Sequence, residues 1–498
     1  MQTKKIIRNL VLLSVFSITA CSSTPTTGPE KPEEPVITVD NVKDYFKVGD
    51  DYTNKRINNI QENPIEGIYD DFTSLNSNNW YVATKGWGIG NNGVRSDFVR
   101  LTDDPNGVVS FKGNGNFATE KDANGNTLSR VGGALISKFK AKPGHYEIKM
   151  KVHPRTGACS AFWTYAYKAL ENGDHINSEI DIELPGGSKS GSITFSKALN
   201  TNWIKETASD SIEYAIQDVD PTTDSVAYND GKWRTFGFDW YTDPSVVIYY
   251  ADGKITNVSN VFVCDLEGRL WLGCWFPQAL VGNALFETDY MFVDYVSYTP
   301  FKNQPMIEFD ADHGLGSDID FNTQPIALKE INKVSQGTFE FFKECDVNGD
   351  NEIINYISKT SGWEFKKPLG HKDEPISNFS IIKKGIGIGN DELYAAKISN
   401  KGIIRQNIDS VYDNYKFNLS FDAKTTVQGK ALATFYSGTS ATGKALKTEE
   451  IIINSKEFKN YTKAIQAPKG TQSLKLQFDS QEQSEVIIDN VKLLQIVE

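Results

Sequence analysis

Apolar residues recur at every second position through much of this chain. In HYEIKMKV, residues 145–152, Tyr146, Ile148, Met150 and Val152 alternate with Glu147, Lys149 and Lys151. An extended backbone sends successive side chains to opposite faces, so a period of two predicts half-buried strands. The same alternation returns in NYKFNLSFDA, where Tyr415, Phe417, Leu419 and Phe421 share a face, and again in SLKLQFDS and EVIIDNVKLLQI near the C-terminus. Turn clusters such as DDPNG, KGNGN, DANGN and NDGKW separate the runs, and no long segment repeats at the helical period. The pattern predicts an all-β protein: one jelly roll or sandwich over residues 65–301, a connector over 302–330 and a second β-sandwich over 331–498. Residues 38–64 show no clear period and are given no element. A length of 498 residues is too great for one core and agrees with this division. The second sandwich has its own alternating strands and is expected to fold alone.

One strand departs from the rule that exposed strand positions are neutral or mixed in charge. In NSEIDIELPGG, residues 177–187, Glu179, Asp181 and Glu183 alternate with Ile180, Ile182 and Leu184. Pro185 and Gly186 end the run, and the spacing of two excludes a helix. The isoleucines enter a core while three carboxylates share the other face, where their repulsion must raise at least one pKa. Such a face is either a solvated acidic surface, a metal-binding edge or a catalytic pair. Glycoside hydrolysis with retention needs one carboxylate as nucleophile and one protonated carboxyl as acid, about 5–5.5 Å apart. Residues four apart on a strand have Cα atoms ~13 Å apart, so the pair meets only if the sheet is concave on that face and the side chains lean together.

Charge and composition narrow the alternatives. A net charge of −12 argues against nucleic acid, which requires basic stripes, and disfavours a heavily sulfated polymer more weakly. Eight of the nine tryptophans (80, 87, 163, 203, 233, 240, 271 and 275) fall in the first β region, and only Trp363 falls in the second. Flat aromatic faces stack on sugar rings, so a tryptophan-rich cleft beside paired acids favours a glycan. Cys264 and Cys274 are close enough in sequence to pair or to remain buried thiols.

The blocks GGALISKFKAKPGHYEIKMKV, SAFWTYAY, SEIDIELPG, KWRTFGFDW, RLWLGCWFP and TDYMFVDYVSY follow one another in that order. Together they resemble glycoside hydrolase family 16 over roughly residues 66–301. The resemblance implies a concanavalin-like β-jelly-roll with a curved sheet. It makes Glu179 the nucleophile, Glu183 the general acid/base and Asp181 their electrostatic helper. It also puts Trp163 and Trp275 in blocks that line the sugar cleft, and leaves Trp240 and Trp271 nearer the core. Family members acting on laminarin, agarose or carrageenan carry an inserted residue, E-x-D-x-x-E, whereas lichenases and xyloglucan-active members share the regular spacing seen here. Those regular members continue with Phe-Leu-Gly, where this chain has Leu184-Pro185-Gly186. The implied activity is endo-acting, retaining cleavage of a neutral β-glucan such as a mixed-linkage β-1,3-1,4-glucan. An endo-β-galactosidase, a transglycosylase and a non-catalytic glycan-binding lipoprotein are the other readings.

The remaining motifs are read more plainly. His175 is read as a loop histidine. GIGNNG, residues 88–93, lacks the following helix of a dinucleotide site, and DVNGDNEII, from Asp346, lacks the glycine and final acid of a calcium loop. Both are turns, and no cofactor is expected. The second β region resembles carbohydrate-binding modules in SQGTFEF, FNLSFDAK and EVIIDNVKL, with Trp363, Tyr394, Tyr412 and Tyr436 as candidate platforms. At the N-terminus, Lys4, Lys5 and Arg8 precede an apolar run and Ile18-Thr19-Ala20-Cys21. This resembles a lipoprotein signal over residues 1–20 with Cys21 as the acylated residue. The proline- and threonine-rich stretch SSTPTTGPEKPEEP that follows reads as a tether. The expected protein is a monomer, lipid-anchored in the cell envelope, with a polysaccharide as its partner.

Overall fold

The computed structural model describes residues 36–45, 67–84, 92–186, 198–211, 213–219, 228–301, 304–311, 316–317, 326–328, 330–340, 345–346, 356–359, 361–366, 379–382 and 394–497. Cys21, Trp87 and most of GIGNNG lie outside them. The first part contains β1 (Ile68–Asp70), β2 (Trp80–Ala83), β3 (Val99–Leu101), β4 (Val109–Asn114), β5 (Gly133–Ser137), β6 (Gly144–Lys151), β7 (Cys159–Ala169) and β8 (His175–Pro185). It continues with β9 (Ala198–Lys205), β10 (Glu213–Val219), β11 (Arg234–Thr242), β12 (Ser245–Ala251), β13 (Lys254–Ser259), β14 (Arg269–Trp275), β15 (Thr288–Pro300) and β16 (Gly316–Ser317).

These strands form two antiparallel sheets. One runs β13-β12-β11-β6-β15-β4-β3, with β1 also on β15; the other runs β10-β9-β8-β7-β14-β5-β2-β16. The sequence neighbours β7 and β8 pair directly, while β14 reaches β7 from far along the chain, as a jelly roll requires. Between the sheets lies one core. Tyr146, Ile148, Met150 and Val152 enter it from one side, and Phe162, Ile180, Ile182, Leu184, Leu270 and Leu272 from the other. This core fixes the register of β8, since a slip by one residue would expose the isoleucines and bury the carboxylates. Trp80 and Trp240 are core residues whose indole N–H groups donate to Asp70 Oδ2 at 2.7 Å and to the Cys264 carbonyl at 2.8 Å. Cys159, Cys264 and Cys274 are separate buried thiols, so Cys264 and Cys274 do not pair.

The first sandwich takes in more chain than the 65–301 span. Ile37 and Val42 pack on Val246, Ile248 and Tyr250. Beyond Phe301, Ile307 bridges to Leu266, Ile326 bridges to Thr102, and β16 adds an edge strand beside β2. Part of the expected connector is therefore folded onto the sandwich that it leaves.

The second β region forms sheets of seven and five strands among the described residues. Phe417, Leu419, Phe421, Leu474, Leu476, Phe478, Ile488 and Leu493 fill the core between them. Trp363 is fully buried there and donates to the Gln336 carbonyl at 3.1 Å, so it is a core residue and not a sugar platform. Tyr394 also packs against this core.

The expectation of an independent second sandwich meets an interface that the sequence did not show. Asp289 of β15 accepts from Arg155 Nε at 2.8 Å, and its Oδ2 also accepts from Lys333 Nζ. Arg155 further donates to the carbonyls of Lys333 and Asp409, each at 3.2 Å. All three charged residues are buried. Around them, Gln336 donates its backbone N–H to Glu287 Oε1 at 2.7 Å and its side-chain amide to the Phe117 carbonyl at 2.8 Å. Burial alone would raise the Asp289 carboxyl, but Lys333 and Arg155 overcome it and hold it at about 2. Burial lowers Lys333 to about 8 against the pull of Asp289. Among the described residues no helix is long and apolar enough to cross a membrane.

A buried charge left without its partner costs roughly 3–5 kcal/mol. Asp289→Asn strands two buried cations and should lower stability by that order in equilibrium unfolding at pH 7. The Asp289 carboxyl lies below its usual value, so its contribution is full above pH ~4 and fades as pH falls toward 2. The gap between wild type and variant should accordingly close in acid. An equal gap at pH 7 and pH 2.5 would mean that the triad carries no such linkage.

Candidate active site

Strand β8 pairs with β7 without a bulge from Pro185↔Cys159 to His175↔Ala169. On its other side it pairs with β9, Glu179 opposite Trp203, Asp181 opposite Thr201 and Glu183 opposite Leu199. Residues opposite one another share a face, so the three acids belong to a surface built from rows that cross the sheet. One row carries Glu179, Trp203, Tyr165 and Arg269. The next carries Asp181, Thr201, Trp163 and Trp271, and a third carries Glu183, Leu199, Ala161 and Gly273. Pro185, Cys159 and Trp275 form the row at the strand end. Ile180, Ile182 and Leu184 point the other way, into the core.

Neighbouring side chains hold each acid in place. The Asn177 amide donates to Glu179 Oε2 at 3.3 Å, and the Trp203 indole N–H donates to Asp181 Oδ2 at 2.9 Å. The Cys159 thiol lies 3.9 Å from Glu183 Oε1 and donates to it. Trp275 adds a hydrogen bond to the Cys159 sulfur. Asp181 is buried, while Glu179 and Glu183 are half-buried.

Crowding raises all three carboxyls, and burial is the largest cause in each. Asp181 rises well above the usual carboxylate range, because the charges of Glu179 and Glu183 add to its burial and its own proton bonds to Glu179. Burial lifts Glu179 to about 7, against the hydrogen bonds from Asn177 and Asp181. Burial and then the charge of Glu179 lift Glu183 to about 8, against the Cys159 thiol. The three titrate as one group. At neutral pH the cluster therefore holds protons that isolated carboxyls would have lost. Two groups of unlike protonation on one face can supply a nucleophile and an acid together. Among the described residues no group of three or more His, Cys, Asp or Glu side chains is arranged to hold a metal ion.

The two tryptophans placed in the cleft from the sequence differ. Trp275 is half-buried and keeps a face toward the Glu183 end. Trp163 shares the row of Asp181 but is only 6% exposed, stacked on Trp271 at 5.4 Å. It forms floor beneath the acids, and its open area is too small for a broad sugar platform. Trp271 is buried on this same face, not in the core between the sheets. His175 opens β8 and stacks on Tyr167 at 5.5 Å, so it is a strand residue and not a loop histidine. Sequence reasoning missed Trp203, Asn177 and Cys159. Asn177 stands two residues before Glu179 and so on its face, which the strand period alone could have indicated.

Residues 101–266 match the family model of glycosyl hydrolases family 16. The match contains Trp163, the three acids and Trp203, and stops short of Trp275. Among solved structures, a prokaryotic β-1,3-1,4-glucanase (lichenase) from a mouse hindgut metagenome is 19% identical, covering 48% of this chain and 100% of its own, with a TM-score of 0.37. A glycoside hydrolase family 16 endo-glucanase from Bacteroides ovatus is 19% identical over 46% of this chain and 99% of its own, at 0.36. The kappa-carrageenase from Pseudoalteromonas carrageenovora is 18% identical over 47% and 96%, at 0.35. No curated protein matches the chain.

The thiol of Cys159 lowers the Glu183 carboxyl, so its removal should move the alkaline limb of activity. In Cys159→Ala the upper limb of the kcat/KM–pH profile is expected to shift to higher pH, with the acid limb in place. Cys159→Ser, which keeps a donor, should restore most of the wild-type profile. Superimposable profiles for wild type and Cys159→Ala would remove Cys159 from the account of Glu183.

Proposed function

We propose that this chain, a glycosidase, is an endo-acting retaining enzyme that cleaves internal β-glycosidic bonds of a neutral β-glucan with β-1,3 and β-1,4 links. The observation that carries the reading is the placement of Glu179, Asp181 and Glu183 on one face of an unbroken strand, where crowding raises all three carboxyls. In this mechanism Glu179 attacks the anomeric carbon as the glycosidic C–O bond breaks, and the Glu183 proton passes to the leaving oxygen. A covalent glycosyl-enzyme results. Glu183, now ionised, takes a proton from water, the water oxygen bonds to the anomeric carbon, and Glu179 departs. Asp181, steadied by Trp203, donates its proton to Glu179 as a hydrogen bond and limits the charge that the strand must bear.

The rows that cross the sheet support an endo mode. They offer side chains on both sides of β8, so several sugars of one chain can lie across the strands. The unbroken ladder of β8 supports the regular E-x-D-x-E form and, with it, a β-glucan. The acidic net charge disfavours a sulfated polymer. For the N-terminus we propose acylation at Cys21 and attachment to the cell envelope through the segment 22–35, on the strength of the charged, apolar and small-residue pattern before Cys21.

Glu179→Gln should lower turnover of mixed-linkage β-glucan by at least about 10³-fold, since a nucleophile is lost while the isoleucine face is kept. With wild type, the first product seen by proton NMR should be the β-anomer. Substantial activity in the variant, or an α-anomer as first product, would overturn the mechanism. Release of oligosaccharides only from galactan or mucin-type glycans, with none from β-glucan, would overturn the substrate.

Separately, Cys21→Ser should move the enzyme from the membrane to the soluble fraction or leave it as uncleaved precursor, with lysate activity unchanged. Mature variant that still sediments with membranes would refute the anchor.

A further inference from the structure

Where the two sandwiches meet there is a cavity of about 220 Å³. It lies on the side of the first sandwich away from the acids. Its walls include Lys151, Tyr290 and Phe292, which alternate along β6 and β15 with the core residues Met150, Val152, Met291 and Val293. Those three therefore sit on the outer face of the sheet that does not carry Glu179. The opposite wall comes from the second sandwich, through Asn414, Tyr415 and Gln495.

The chemistry of this lining is specific. Tyr290 and Phe292 lie nearly parallel, 25° apart at 6.0 Å, and stay half-buried, so they form one continuous aromatic wall. Gln495 is 9% exposed; it bonds to Tyr415, yet its Oε1 is a buried acceptor with no donor. A buried acceptor without a partner is costly unless a ligand supplies the donor. Lys151 holds its ammonium over the Trp233 ring at 5.0 Å and makes no ion pair among the described residues. The two carboxylates of the lining are already engaged. Asp289 is held by Arg155 and Lys333, and Asp413 accepts the backbone N–H of Thr471 at 2.9 Å.

An aromatic wall, an amide acceptor and an ammonium donor, with both acids already accepting hydrogen bonds, fit a neutral polyhydroxylated ring. A phosphate or sulfate fits less well, since it has no apolar face to lay on Tyr290 and Phe292. The volume lies below the ~300–1,000 Å³ of drug-sized sites and has room for about one sugar ring. We propose that the seam between the sandwiches is a second glycan-binding site, which takes a single sugar ring at the end or a bend of the polysaccharide cleaved on the opposite face. The inference rests on the β-glucan reading above. It places sugar binding by the C-terminal part in the seam, where neither sandwich alone completes the site. A second point of attachment on the same molecule would raise the effective concentration of the acids near an insoluble chain.

The test uses the full mature chain carrying Glu179→Gln, titrated calorimetrically with a β-1,3-1,4-linked glucotetraose, beside wild-type hydrolysis of the parent glucan. Two bound tetrasaccharides per chain are expected. Adding Tyr290→Leu and Gln495→Leu, with the melting temperature checked, should leave one. The same two changes in the wild-type background should leave turnover of soluble glucan within about twofold and weaken retention on insoluble glucan. Hydrolysis of the glucan with a single binding event in the parent would overturn the seam site alone. Absence of both hydrolysis and binding would overturn the substrate reading together with the site. Two events that survive the seam changes would put the second site elsewhere and refute this one.

Discussion

Three carboxyl groups on one side of a single strand cannot all ionise cheaply, and most of the structure around them answers that constraint. Repulsion within β8 is countered by the apolar residues on its reverse face. Ile180, Ile182 and Leu184 are each fully buried, and each such side chain contributes roughly 1.5–3 kcal/mol. The same three residues fix the register, so the force that holds the strand also aims the acids. What repulsion remains is absorbed by protons: the Asp181 carboxyl is raised well above its ordinary value, and Glu183 is lifted to about 8. Destabilisation of the ionised cluster and readiness for acid–base chemistry are here one property.

The surroundings grade the three sites. Trp203 and Cys159 each donate to one acid, and neither carries a charge that would neutralise the cluster outright. A lysine or arginine in either place would bring the carboxyls back toward their ordinary values and remove the acid. The molecule does place such cations beside a carboxylate at Asp289, where Arg155 and Lys333 drive the pKa down to about 2. One chain thus holds two acidic centres treated in opposite ways. The paired one joins two sandwiches, and the unpaired one sits on an open face.

The alternating runs made the strands and their inward faces legible, because a half-buried strand writes its period directly into the sequence. Tyr146 to Val152 and Tyr415 to Phe421 lie as the pattern indicated. The acids were legible for the same reason, since like charges at spacing two have no structural motive. Strand β9 hid its part. Asn200 and Asn202 pair beside Ile182 and Ile180 and so face the interior, while Leu199 and Trp203 face the acids. Asn202 is held there by bonds to the hydroxyls of Ser259 and Tyr249, long-range partners that no local window contains. The interface was hidden likewise. Arg155, Asp289 and Lys333 are 134 and 44 residues apart in successive pairs, and each alone reads as an ordinary surface charge. Trp363 misled in the reverse direction, because a lone tryptophan in a β-sandwich suits a core and a platform equally well.

The central claim is that neutral pH leaves the β8 cluster partly protonated. It is tested most directly by a carboxyl ¹³C NMR titration of protein labelled at Glu and Asp side chains, with Glu179→Gln, Asp181→Asn and Glu183→Gln used for assignment. The account predicts that the Glu183 carboxyl titrates near pH 8, that Asp181 titrates well above the ordinary range of an aspartate, and that the Glu183 midpoint falls when Glu179 is made neutral. Three carboxyls that all lose their protons below pH 5, each indifferent to the others, would contradict it.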